Sequence, residues 1–182
     1  MRSLRADGIR IAVLIGVGLL VTIGPSAVSQ ALARDPEPSW RAALESLDSA
    51  LAAGNVDAAL PLWQAAYRSA RASRDWRPLL LVGEASLRIG IGTGNRGASE
   101  SAARTCYLIA LFRARTQESL EGILEITEAF AALGDRDVAG YGLRIAAKIA
   151  QRRNDAMSYE RLDATRRRLA ASSLRVTGGT LN

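Results

Sequence analysis

The chain has 182 residues, with 24 Lys or Arg against 18 Asp or Glu, a formal net charge of +6, no histidine and one cysteine. Without histidine, most zinc sites, the serine triad and the usual proton shuttle are excluded. A lone Cys106 excludes an intramolecular disulfide, and its apolar helical surroundings suit a small buried hydrophobe.

Residues 1–33 read as a signal peptide. Arg2, Arg5 and Arg10 form a basic head, Ile11 to Ile23 is a short apolar run, and Ala31-Leu32-Ala33 offers small residues for cleavage. The run is shorter than the ~20 residues a membrane span needs, although an uncleaved anchor is the rival reading. The protein is therefore expected to be exported, periplasmic or extracellular, with Arg34 first in the mature chain. Membrane contact is expected only through this segment, if it is kept.

Residues 34–38 form an extended lead-in, and 39–171 read as helices throughout. Ser39 opens a first helix through Leu44, Leu47 and Leu51 to Gly54. Asp57 caps a second, with Leu60, Trp63, Ala66 and Tyr67 inward. Asp75 caps a third, through Leu79, Val82, Ser86 and Ile89 to Gly90. A glycine-rich loop spans Gly90 to Gly97, and Ser99 opens a fourth helix through Cys106. Thr116 caps a fifth along Ile123 and Phe130 to Gly134. Asp135 or Asp137 starts a sixth with Ala139, Leu143, Ala146 and Ile149 inside, and Asn154 caps a seventh. From Ser172 to Asn182 the periodicity fades into a loose tail.

Charge is uneven along this path. Residues 34–143 carry 12 basic and 14 acidic groups, whereas 144–182 carry 9 basic and 3 acidic. Among the 24 basic residues only Lys148 is a lysine. The C-terminal cluster Arg152-Arg153, Arg161 and Arg166-Arg167-Arg168 would suit anionic lipid, an acidic partner, or a soluble outer helix. No nucleic-acid role is expected.

A pattern recurs through the helices. Trp40, Trp76 and Leu120 are each followed fourteen positions later by glycine, at Gly54, Gly90 and Gly134. Such recurrence marks stacked helix pairs, each unable to bury its own core alone. Over Ser39 to Arg153 the chain resembles the tetratricopeptide repeat family. The third unit carries the resemblance best, with Ile123, Thr127, Phe130, Gly134, Ala139, Leu143 and Ala146. The first supplies Gly54, Ala59, Trp63 and Ala66, and the second Leu79, Val82, Gly83 and Gly90. The unit-ending proline is missing throughout, so a generic stack of helical hairpins stays open. The expected fold is all-α, a short right-handed α-solenoid of about seven helices in antiparallel hairpins.

The resemblance implies a concave groove lined by the first helix of each unit. Its charged positions are Arg41, Asp48, Arg77, Glu84, Arg88, Glu121 and Glu128, interspersed with Leu44, Leu80, Leu87 and Leu124. That mixture implies a protein or peptide partner, held by an exported scaffold, with envelope assembly as one setting. Neither catalysis nor a cofactor is expected, since no nucleophile–base pair is visible. The alternative is a carrier or enzyme of small ligands or anions at the Gly90–Gly97 loop. There, Gly92-Thr93-Gly94-Asn95-Arg96-Gly97 spells G-x-G-x-x-G without the flanking strands a dinucleotide site requires. Glu118, Glu121, Glu125 and Glu128 read as a solvated acidic ridge rather than a metal site.

Overall fold

A computed structural model describes residues 37–178. Residues 1–33, on which the signal-peptide expectation falls, most of the lead-in and the last four residues lie outside this range. Seven helices follow in order: α1 Glu37–Ala52, α2 Val56–Ala72, α3 Arg77–Thr93, α4 Arg96–Thr116, α5 Leu120–Ala132, α6 Arg136–Arg153 and α7 Ala156–Gly178. There is no strand among the described residues, so the all-α expectation holds.

The helices form because each buries an apolar stripe at spacings of three and four. In α1 the stripe is Trp40, Leu44 and Leu47; in α3 it is Leu79, Val82, Ser86 and Ile89; in α5 it is Leu120, Ile123, Ile126 and Phe130. The tightest packing joins α1 to α2, α3 to α4 and α5 to α6. Each of these pairs is linked by two or three residues, so the chain doubles back at once. Every helix also packs on its successor, while α1 touches α3 and α5 touches α7. A single cluster of buried side chains runs from Trp40 to Leu162.

The three recurring tryptophan-or-leucine positions are equivalent in burial: Trp40, Trp76 and Leu120 are all at most 2% exposed. The three glycines are not equivalent. Gly54 and Gly134 turn the chain with φ of 71° and 80°, a conformation most side chains resist. Gly90 instead lies inside α3, where an added Cβ would come 2.5 Å from the Ser99 Cβ. The turn falls at Gly94, with φ of 70°. The expected glycine loop is thus only Gly94-Asn95, because α3 runs a turn longer than the repeat suggested.

Helix starts differ from expectation by a residue or two. Asn55, Asn95 and Ser119 accept from backbone N–H groups three residues on, so they cap α2, α4 and α5 in place of Asp57, Ser99 and Thr116. Asn154 ends α6 in a left-handed turn, and Asp155 caps α7 by accepting from Ser158 N at 2.8 Å. The backbone stays helical to Gly178, past Ser172 where the periodicity faded.

Long-range polar contacts tie the pairs together. The Arg113 guanidinium donates to the carbonyls of Ala70, Arg71 and Asp75 at 3.0, 2.8 and 3.1 Å, satisfying two carbonyls at the open end of α2 and one in the turn after it. Cys106 is fully buried, as expected, and burial pushes its thiol up to about 12. Such a thiol is no nucleophile near neutral pH.

Candidate functional site

The charged positions singled out from the sequence lie on α1, α3 and α5, and the structure brings most of them together in pairs. Asp48 of α1 accepts from the Arg88 guanidinium of α3, Nη2 to Oδ1 at 2.9 Å. Arg77 of α3 donates to Glu121 of α5, Nη2 to Oε2 at 2.9 Å. These two pairs bridge 40 and 44 residues of sequence and join the three helices into one polar face. All four side chains are about half exposed, and each pair contributes only about 0–1 kcal/mol.

Arg41 and Arg77 share a second feature. Each guanidinium lies over the ring of the tryptophan before it, Arg41 at 5.0 Å from Trp40 and Arg77 at 4.8 Å from Trp76. Stacking of this kind holds the flexible side chain flat against the helix. The aliphatic positions behave differently. Leu44, Leu80 and Leu124 are under a tenth exposed, and Leu87 is half-buried. A hollow of about 590 Å³ between α1 and α3 is lined by Leu44, Asp48, Leu51, Leu81 and Arg88.

Glu128 does not pair within the three helices. It accepts from Arg168 Nε at 3.1 Å and from Thr165 Oγ1 at 3.0 Å, both on α7. Together with Glu121, Leu124, Glu125 and Arg161 they surround a hollow of about 200 Å³. Sequence reasoning missed α7 here. The available signal was Arg161, Thr165 and Arg168, which share one helical stripe.

On α3 and α5, two carboxylates have neither a hydrogen bond nor an ion pair among the described residues: Glu84 and Glu125. Burial raises the Glu84 carboxyl above its ordinary value, against the lowering pull of Arg88. Burial also raises Glu125, with Glu121, Glu84 and Glu128 adding repulsion. A carboxyl raised on folding stabilises the fold fully below its unfolded value and loses that contribution as pH climbs through the folded one. Glu84→Gln is therefore expected to raise the melting temperature at pH 7 and to change it little at pH 4. Melting curves at the two pH values check this, and an equal effect at both contradicts it.

The supposed acidic ridge breaks up in the same way. Glu118 is held by Arg152 at 2.9 Å, Glu121 by Arg77 and Glu128 by Arg168, so its members turn to three different helices. Of the C-terminal arginines, Arg166 pairs with Asp163 on its own helix.

At the glycine motif, the Ala98 N–H is already taken by Asn95 Oδ1 at 3.4 Å, and Arg96 lies 3.8 Å from Glu100. The neighbouring cavity, about 370 Å³, is apolar along Val56, Leu60, Trp63, Ile89 and Ala102. Its Ser86 hydroxyl is committed to the Gly83 and Ser99 carbonyls. An anion finds little to hold it there.

Comparison of the chain with protein-family models, with curated proteins and with solved structures finds no match.

Proposed function

We propose that this protein is an exported scaffold, a tetratricopeptide-like stack of helical hairpins whose α1, α3 and α5 face holds an extended segment of a partner protein. The observation that carries the reading is the pair of bridges Asp48–Arg88 and Arg77–Glu121, which make one continuous face from three helices far apart in sequence. The three helices carry three basic and seven acidic residues. The favoured partner is an extended segment that offers Lys or Arg to the unpaired Glu84 and Glu125 and its backbone carbonyls to Arg41 and Arg77, beside aliphatic side chains. Stacked Arg41 and Arg77 supply the anchors, because partly desolvated arginines often dominate such interfaces.

Replacing both anchors tests this. The full-length Arg41→Ala/Arg77→Ala protein is expected to melt close to the wild type, since exposed charges add little. Its capture of partner from envelope fractions should fall by about tenfold or more. Undiminished capture by the folded double variant removes the assignment.

A second reading, carriage of a small ligand, rests on the 370 Å³ cavity between α2, α3 and α4. Its lining selects an apolar group rather than an anion.

A further inference from the structure

Positive charge is concentrated on α4 and α6, which together carry nine basic and two acidic residues, a net charge of +7. Between them lies a cleft of about 380 Å³. One wall is Arg115, whose Nη1 donates to the Tyr141 hydroxyl at 3.1 Å. The other wall is a stripe along α6, Tyr141, Arg144, Lys148 and Arg152, at helical spacings of three and four. The Arg144 guanidinium is 5.7 Å from the Tyr141 ring centre. The single carboxylate in the cleft, Glu118, is engaged by Arg152 at 2.9 Å. Arg115, Arg144 and Lys148 therefore converge with no ion pair among the described residues.

Three uncompensated cations around one cleft suit a phosphate-bearing group. What lies beside them says where that phosphate comes from. Leu108 and Phe112 share the stripe of Arg115 on α4 and stand 52% and 69% exposed, although apolar. A soluble phosphate would leave both in water. A bilayer surface would take them among its acyl chains while its headgroups meet the guanidinium groups and the ammonium.

We propose that the α4–α6 cleft is a docking site for the headgroups of an anionic phospholipid surface, with Leu108 and Phe112 entering the lipid. This contact is separate from the partner-binding face and adds to the membrane contact expected of the N-terminal segment. It does not depend on the cleavage of that segment.

The test compares full-length wild type with Arg144→Gln/Lys148→Gln by flotation with vesicles of phosphatidylglycerol and phosphatidylcholine, and of phosphatidylcholine alone. Residues 1–36 are the same in both proteins, so a difference in vesicle binding between them reports the cleft. Each basic side chain near an anionic surface adds about fivefold to binding, so the double variant should bind anionic vesicles about thirtyfold more weakly. Binding to phosphatidylcholine alone should not change. Phe112→Ser should also weaken binding to anionic vesicles, and Arg144→Lys/Lys148→Arg should restore the wild-type level. Equal binding by wild type and the glutamine variant overturns the proposal. So does displacement from vesicles by millimolar inorganic phosphate, which would make free phosphate the ligand. Tighter binding of soluble polyglutamate than of vesicles, lost in the same variant, would make an acidic protein the ligand and overturn it too.

Discussion

Phe130→Ala is expected to cost about 3–5 kcal/mol, a large part of the stability of a domain this size. Phe130 is 1% exposed and meets the Tyr107 ring edge-on, with centroids 5.6 Å apart and planes 78° apart. Tyr107 in turn packs against Gly83, where an added Cβ would come 2.4 Å from the Tyr107 Cε1. A packed column thus runs from Phe130 on α5 through Tyr107 on α4 to Gly83 on α3. Removing its end leaves a void that small neighbours cannot fill, and costs the edge-to-face contact as well. Urea unfolding with the midpoint and slope both measured checks this. A loss under about 1 kcal/mol would mean that the column does not hold the helix pairs together.

Gly122→Ala carries the second large effect, together with its partner Trp76. The Trp76 indole packs on the bare backbone of α5, and an added Cβ at Gly122 would come 2.5 Å from Trp76 Cε2. Overpacking of this kind costs about 1–3 kcal/mol. Trp76→Ala alone should cost about 3–5 kcal/mol through the cavity it opens. In the Trp76→Ala protein the penalty at residue 122 should vanish, because the clash is gone and alanine is the better helix former by about 1 kcal/mol. A double-mutant cycle reads the coupling, expected at about 1–3 kcal/mol. Strict additivity would show that α3 and α5 do not interlock at this point.

The helices could be read from the sequence because their apolar spacing is strong, and Trp40, Trp76 and Leu120 mark buried places at the start of α1, α3 and α5. Gly90 was misread for a physical reason. A glycine that turns the chain and one that admits a neighbour look identical in sequence, and only the packing of Ser99 on α3 separates Gly90 from Gly94. Cap positions slipped because Asn55 and Asp57 are both good caps, and only geometry selects Asn55. The cap expected of Asp135 is likewise diverted, because its carboxylate is bound by Arg104 at 2.8 Å and makes no cap bond.

The candidate site was visible as a set of residues and not as a set of pairs. Which arginine meets which carboxylate depends on helix offsets that no spacing within one helix reveals. Trp63 shows the same limit. It had the position of a core residue, yet it is half-buried, stacked on Tyr67 at 5.3 Å, with its N–H donated to the Val82 carbonyl at 2.9 Å. The share of α7 in the surface around Glu128 was hidden because its arginines looked like a solvated end-cap.

Photo-cross-linking from the α1, α3 and α5 face tests the partner-binding proposal most directly. A benzophenone side chain would replace Glu84 or Glu125 in the full-length protein, with Ser101 on α4 as the exposed reference position. The scaffold reading predicts covalent adducts of the same polypeptide at 84 and 125 and none at 101. Adducts at 101 alone, with 84 and 125 empty in folded protein, would contradict it.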